Sequence, residues 1–206
     1  PAHLILSAAL FARGAEPGTS QRQVNRMALA GGFLPDFSLY FAFIYAVMVR
    51  GVPGDTFFRE MYFSDGFQRL FSIDNSFLFW GLGLAVAFWS GRRWAVALTT
   101  CGLVHLATDF LLHHDDARQQ FWPLTDWVFE SPVSYWDSNH YGNIFGPIEV
   151  LLCLALLAVL WRRFEGRWAK IAIAAGAITQ VAPTVVFGLM FGDRAAGEAS
   201  GGDMSW

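Results

Sequence analysis

Charge is what this 206-residue chain has least of: only 15% of its residues are Asp, Glu, Lys or Arg, where a soluble domain carries nearer a quarter. A surface so poor in charge cannot mostly face water. Lysine is almost missing, Lys170 being the sole example, and the basic residues form no long run. With a net charge of −3, that scarcity argues against a nucleic-acid partner. Two cysteines, Cys101 and Cys153, lie in apolar runs and give no disulfide framework. The sequence has no G-x-S-x-G elbow, no Walker motif and no G-x-G-x-x-G fingerprint. The glycines of "GLGLAVAFWSG" (81–91) read as close helix packing.

What the chain does have is apolar length. Hydrophobic residues make up 54% and the mean hydropathy is +0.37. A crossing helix needs roughly 20 apolar residues, and five segments qualify: 27–49, 74–90, 94–113, 144–161 and 170–191. The expected fold is an all-α, polytopic membrane bundle of five spans plus a short N-terminal apolar helix, with the lipid bilayer as its first partner. Residues 1–192 form the single transmembrane domain and 193–206, rich in Gly and Ser, a flexible C-terminal tail. The opening "PAHLILSAALFARG" has its arginine after a short apolar run, the reverse of a cleavable signal.

Charge distribution orients the bundle. The connections on the side of residues 13–26 hold nine basic residues against two acidic ones, and those on the opposite side hold five against twelve. Basic loops are retained in the cytoplasm, so the acidic loops are expected outside. Trp89, Trp94, Trp161 and Trp168 fall at the cytoplasmic headgroup level, as interfacial indoles prefer. The segment 55–72 reads as an interfacial helix broken near Ser64–Gly66, and the aromatic loop 114–143 as a cover over the bundle.

Four ionisable residues sit inside the apolar runs: Asp36, His105, Asp109 and Glu149. Charge at membrane depth costs a few kcal/mol or more, so such groups face the bundle interior and find partners. His105, Asp109 and His113 recur at i, i+4 and i+8 and share one helical stripe. Imidazole and carboxylate are zinc ligands and also suit manganese, so a divalent metal is the expected cofactor. His105 and Asp109 also admit a plainer reading, as partners of one another or of a neighbouring helix. His114, Asp115 and Asp116 read as a solvated helix end, and His140, in "DSNHYGN", as a surface histidine. Glu149 follows Gly146–Pro147, where a helix dipole favours an acid. Pro35 kinks its helix beside Asp36 and frees backbone carbonyls.

The order of motifs adds a resemblance. A histidine in "PAHLILSAALFARG", then "GGFLPDFSLY", then "HLATDF" followed by "FWPLTDW" resembles the inner-membrane-associated metal-dependent hydrolases of the YdjM type, also called LexA-binding. The stretches "IDNSF" and "HHDDARQQFWPLTDWVFESPVSYWD" are similar to small alphaproteobacterial membrane proteins labelled as cobalamin biosynthesis proteins of the CobQ type. The resemblance spans residues 1–165. It implies a place in the bacterial inner membrane and metal-site roles for His3, Asp36, His105 and Asp109, with His113 a further candidate. One departure limits it: the family carries an H-R-G-x-T-H-S-like motif in mid-chain, where this sequence reads "SIDNSFLFWG" with no histidine. A single ion rather than a pair is then expected.

Three functions follow as expectations. The first is a metal-dependent hydrolase acting on a membrane-proximal ester or phosphoester, with Glu149 or Asp116 as general base. The second is a non-catalytic accessory or assembly subunit of a larger membrane complex, its 20 phenylalanines packing against partner subunits. A small transporter using Asp36 and Glu149 as proton carriers is a third, without inverted repeats to support it.

Overall fold

A computed structural model describes residues 1–182. Among these every regular element is a helix, with no strand. Four helices are long and apolar enough to cross a membrane: Ser20–Val49, Asp65–Ser90, Arg93–Leu112 and Gly142–Arg163. The fifth expected span is helical over 167–182; its remainder and the tail 193–206 lie outside the described residues.

The first helix, α1 (Ala2–Phe11), has ten residues and so is about 15 Å long, too short to cross. It packs against α2 (Ser20–Phe33), α7 (Arg93–Leu112) and α8 (Gly142–Arg163). Its far end is pinned by Arg163 of α8, which donates to the Ala9 and Ala12 carbonyls at 2.8 and 2.9 Å. A cation serving the orphan carbonyls of a C-terminus also complements the helix dipole. The near end, carrying His3, is thereby held against the end of α7.

The helix α2 runs on through a 3-10 turn at Leu34–Asp36 into α3 (Phe37–Ile44), which ends in a π turn at Tyr45–Val49. Proline cannot donate in a helix interior, and Pro35 falls at this turn. The loosened backbone is braced from α5 (Asp65–Asp74) and the two residues after it. Buried Asn75 donates to the Pro35 carbonyl at 2.6 Å. Asp74 accepts from the Ser38 backbone N–H at 2.8 Å and from the Ser38 hydroxyl at 2.9 Å, at the N-terminal end of α3, where a carboxylate is favoured. The mid-chain "IDNS" thus fixes the bend that aims Asp36. Before α5, a short α4 (Gly54–Thr56) passes into a π turn at Phe57–Met61, and the chain breaks at residues 62–64.

The pair α2 and α7 forms the centre of the molecule, and α6 (Phe77–Ser90) packs on the other side of α7. Close approach of α2 to α7 depends on Gly31, where a Cβ would collide with the Leu98 carbonyl oxygen. Gly31→Leu should therefore force the two helices apart, at a cost of about 1–3 kcal/mol of overpacking. A detergent melting curve reads the loss; an unchanged transition would mean that this contact does not set the helix spacing. Elsewhere the helices present Phe37, Phe41, Ile44, Met48, Leu82, Phe88 and Leu151 outward, the pattern of a bundle whose surroundings are themselves apolar.

The connection between α7 and α8 folds back on the bundle. Ser131 donates through its hydroxyl to Leu111 O at 2.6 Å and through its backbone N–H to His113 O at 3.0 Å, and Tyr135 N–H donates to Leu112 O at 3.2 Å. These satisfy carbonyls that a helix end leaves without partners. At α6 the Phe77 N–H finds Gln120 O at 2.8 Å, and the Ser76 hydroxyl donates to Trp122 O at 2.6 Å. The loop is part of the fold.

Candidate metal centre

Three elements deliver the cluster: α1 brings His3, the kink after α2 brings Asp36, and α7 brings His105 and Asp109. Asp109 is the hub. Its Oδ2 lies 3.2 Å from His105 Nε2, while its Oδ1 lies 3.2 Å from His3 Nε2 and 3.6 Å from His113 Nε2. Asp36 Oδ2 is 3.5 Å from His105 Nε2.

Proton accounting shows what the imidazoles offer. His105 Nδ1 is 3.0 Å from the Gly32 carbonyl oxygen, which can only accept, so Nδ1 carries the proton and neutral His105 directs the Nε2 lone pair at two carboxylates. His105 is almost fully buried, and its Nε2 has no hydrogen-bond partner. His3 repeats the arrangement. The single Thr108 hydroxyl proton goes to the His105 carbonyl at 2.7 Å, so the hydroxyl oxygen accepts from His3 Nδ1 at 3.2 Å. A neutral His3 bonded in this way turns its bare Nε2 toward Asp109. The two rings stack at 3.6 Å between centroids, an arrangement that two imidazolium cations would oppose.

With both imidazoles neutral, their Nε2 lone pairs meet the Asp109 carboxylate with no proton between them, a repulsion that a bound cation relieves and that a second ring proton would also relieve. His3, His105 and Asp109 each offer a ligand atom within 4.8 Å of the other two. Neighbouring ligands on a tetrahedral zinc ion, with bonds near 2.0–2.1 Å, are about 3.3 Å apart. The separations of 3.2–3.6 Å around Asp109 and His105 bracket that value. Both Nδ1 atoms are held by neighbours, as ligating histidines require. The residues present fit a divalent ion.

Comparison with known proteins returns no matching family model, no matching curated protein and no matching solved structure. The chemistry of the site therefore has to speak for itself.

Around the cluster lies a second set of groups. Arg118, from the loop after α7, donates to Asp36 Oδ1 at 3.1 Å and sits over the rings of Tyr62 and Phe71. Burial opposes its charge, but Tyr62, Asp36 and Asp109 more than offset that, so its pKa moves up and the guanidinium stays charged. Tyr135 packs edge-on to His113, and its phenol is pushed up, first by burial and then by Asp116, Glu149, Asp109 and Asp36. It keeps its proton. A small cavity with room for roughly one water molecule is lined by Asp109, His113, Asp116 and Arg118.

The structure thus brings His3, Asp36, His105, Asp109 and His113 together, with Asp116 Oδ2 2.8 Å from His113 Nδ1. Glu149 is engaged differently: its Oε1 accepts from Gln180 at 2.9 Å, on the helix over 167–182. Sequence reasoning missed Arg118, Thr108, Tyr135 and the Gly32 carbonyl. Arg118 had one visible signal, a lone cation two residues past a run of four His and Asp residues.

Proposed function

We propose that the chain is a membrane-embedded, metal-dependent hydrolase that holds one divalent ion on His3, His105 and Asp109, with Asp36 beside it. The observation that carries this reading is the convergence of two imidazole Nε2 atoms, each with its Nδ1 occupied, on one carboxylate. When bound, a zinc- or manganese-class ion supplies Lewis acidity and lowers the pKa of a coordinated water. The protein's own groups do the rest. His113 lines the cavity beside Asp109, and Asp116 orients it from the Nδ1 side, so its Nε2 is placed to take up a proton. Arg118 holds positive charge at the same cavity, which suits an anionic oxygen of an ester or phosphoester. Tyr135 stands by as a proton-bearing donor. The assignment of Asp116 shifts from base to the group behind the base, and Glu149 takes no part. By the charge asymmetry of the loops, the cluster faces the outside of a bacterial inner membrane, within reach of lipid headgroups.

The test is hydrolysis of p-nitrophenyl phosphate and a short-chain p-nitrophenyl ester by the detergent-purified chain, with zinc or manganese and with EDTA. Metal-dependent turnover is expected, and His113→Gln should lower kcat by about 10²–10⁴ without changing metal content. If metal is bound and neither ester is cleaved, the accessory-subunit reading gains. The outward aromatic face of α3, with Phe37, Tyr40, Phe41 and Tyr45 exposed, is the surface that favours it.

A further inference from the structure

Beyond the buried cluster, the loop between α7 and α8 carries its own convergence of ligands. We propose that His114, Asp115 and His140 form a second divalent-metal site, of the zinc class, that clasps the two ends of this loop. It does not depend on the hydrolase reading or on Asp109.

The geometry is that of a prepared site. His114 lies two residues past the α7 end and donates from Nδ1 to the Ser131 carbonyl at 2.7 Å. His140, two residues before α8, is bonded through Nδ1 to Asp137 Oδ2 at 2.6 Å. A carbonyl oxygen behind one imidazole and a carboxylate behind the other are the supports that fix the ring and raise the basicity of metal-binding histidines. With both Nδ1 atoms occupied, Nε2 is the free donor on each. The rings lie 3.5 Å apart at their centroids, and Asp115 Oδ1 is 3.2 Å from His114 Nε2. Each of the three residues offers a ligand atom within 4.8 Å of the other two. Two imidazoles and one carboxylate are three protein ligands for zinc, leaving a fourth position to water.

Local backbone structure presents this set. Asp137 accepts from Asn139 N–H at 2.9 Å through Oδ1 and shapes the 3-10 turn Ser138–His140, while Tyr141 follows at a φ of 64°. The Ser134 N–H donates to the His140 carbonyl at 2.7 Å. These contacts anchor His140 to the same stretch, 131–135, that caps α7. An ion on His114 and His140 would close that stretch into a ring and hold the cover carrying Arg118 and Tyr135 in place.

The experiment uses the full chain in detergent, stripped with EDTA and titrated with zinc. Two readouts are followed: bound zinc per chain, and the rate of limited proteolysis within residues 115–139. At free zinc about a hundred times the Kd, an open loop that does not bind becomes about a hundredfold rarer, so cleavage should slow by that order. His140→Ala and, separately, His114→Gln should each remove one zinc and the protection. Asp109→Asn should lose the inner ion but keep one zinc and the loop protection, which separates this site from the inner one. Proteolysis that zinc fails to slow, or full zinc binding in His140→Ala and His114→Gln alike, overturns the proposal. Asp115→Asn covers the case in which a histidine variant misfolds, since Asp115 is exposed and its loss should weaken zinc binding without affecting the fold.

Discussion

Asp109→Asn is expected to empty the inner centre while leaving the protein folded. The substitution keeps the shape of the side chain and removes the charge on which three imidazoles converge. One carboxylate oxygen becomes an amide NH2, which can donate to a bare Nε2 but cannot bind a cation. Removing an outer-shell partner already costs metal sites about 10–100-fold in affinity, so losing the hub should cost more than about a hundredfold. Elemental analysis of the dialysed protein and competition with a chromophoric chelator read the change. Unaltered metal content in the variant would dispose of the inner centre, because Asp109 is where the three histidines converge. Melting of the metal-free protein in detergent should shift little, since the amide keeps the shape of the side chain and can donate to a bare Nε2.

Arg118→Leu should damage the fold most among single changes at the site. Arg118 and Asp36 lie 3.1 Å apart with little exposure, and a buried pair broken from one side leaves an uncompensated charge at a cost of about 3–5 kcal/mol. Asp36 then stands beside Asp109 with only histidines to answer it. The double variant Asp36→Leu/Arg118→Leu should recover most of the loss, as a well-packed apolar pair replaces a buried ion pair at little cost. A double-mutant cycle on detergent stability measures the coupling. Additive effects of the two single changes would mean that the pair is not energetically linked. Metal binding is expected to weaken in both variants, so stability and ligand affinity part company in the double variant.

Much of this site was open to a reader of the sequence. His105 and Asp109 are one turn apart on a helix too apolar to tolerate them idly, and Asp36 follows a proline that had to bend its helix. The chain spends "IDNS" on that bend: Asn75 and Asp74 brace Pro35 and Ser38, where the resembling family places histidines. His3 could be named only as one possible further ligand, because nothing in a ten-residue helix says which neighbour its start will meet. That Glu149 would meet Gln180 could not be read, since the rotation of α8 about its axis is set by packing against its neighbours. Arg118 and Tyr135 ride on a loop whose path follows from which carbonyls of α7 need donors, a tertiary fact with no local signature. His114 and His140 looked like isolated surface residues for the same reason: their meeting depends on the loop closing.

The carbonyl that orients His105 belongs to Gly32, next to the glycine that lets α2 lie against α7. A slide of one helix along the other by a single rung would take that acceptor away, and the imidazole could then move its proton to the other nitrogen. Asp109 and Asp36 would meet a hydrogen where they now meet a lone pair. Interhelical register and tautomer are therefore the same variable, and mechanical tension across this seam would be felt first as a change in what the histidine can grasp.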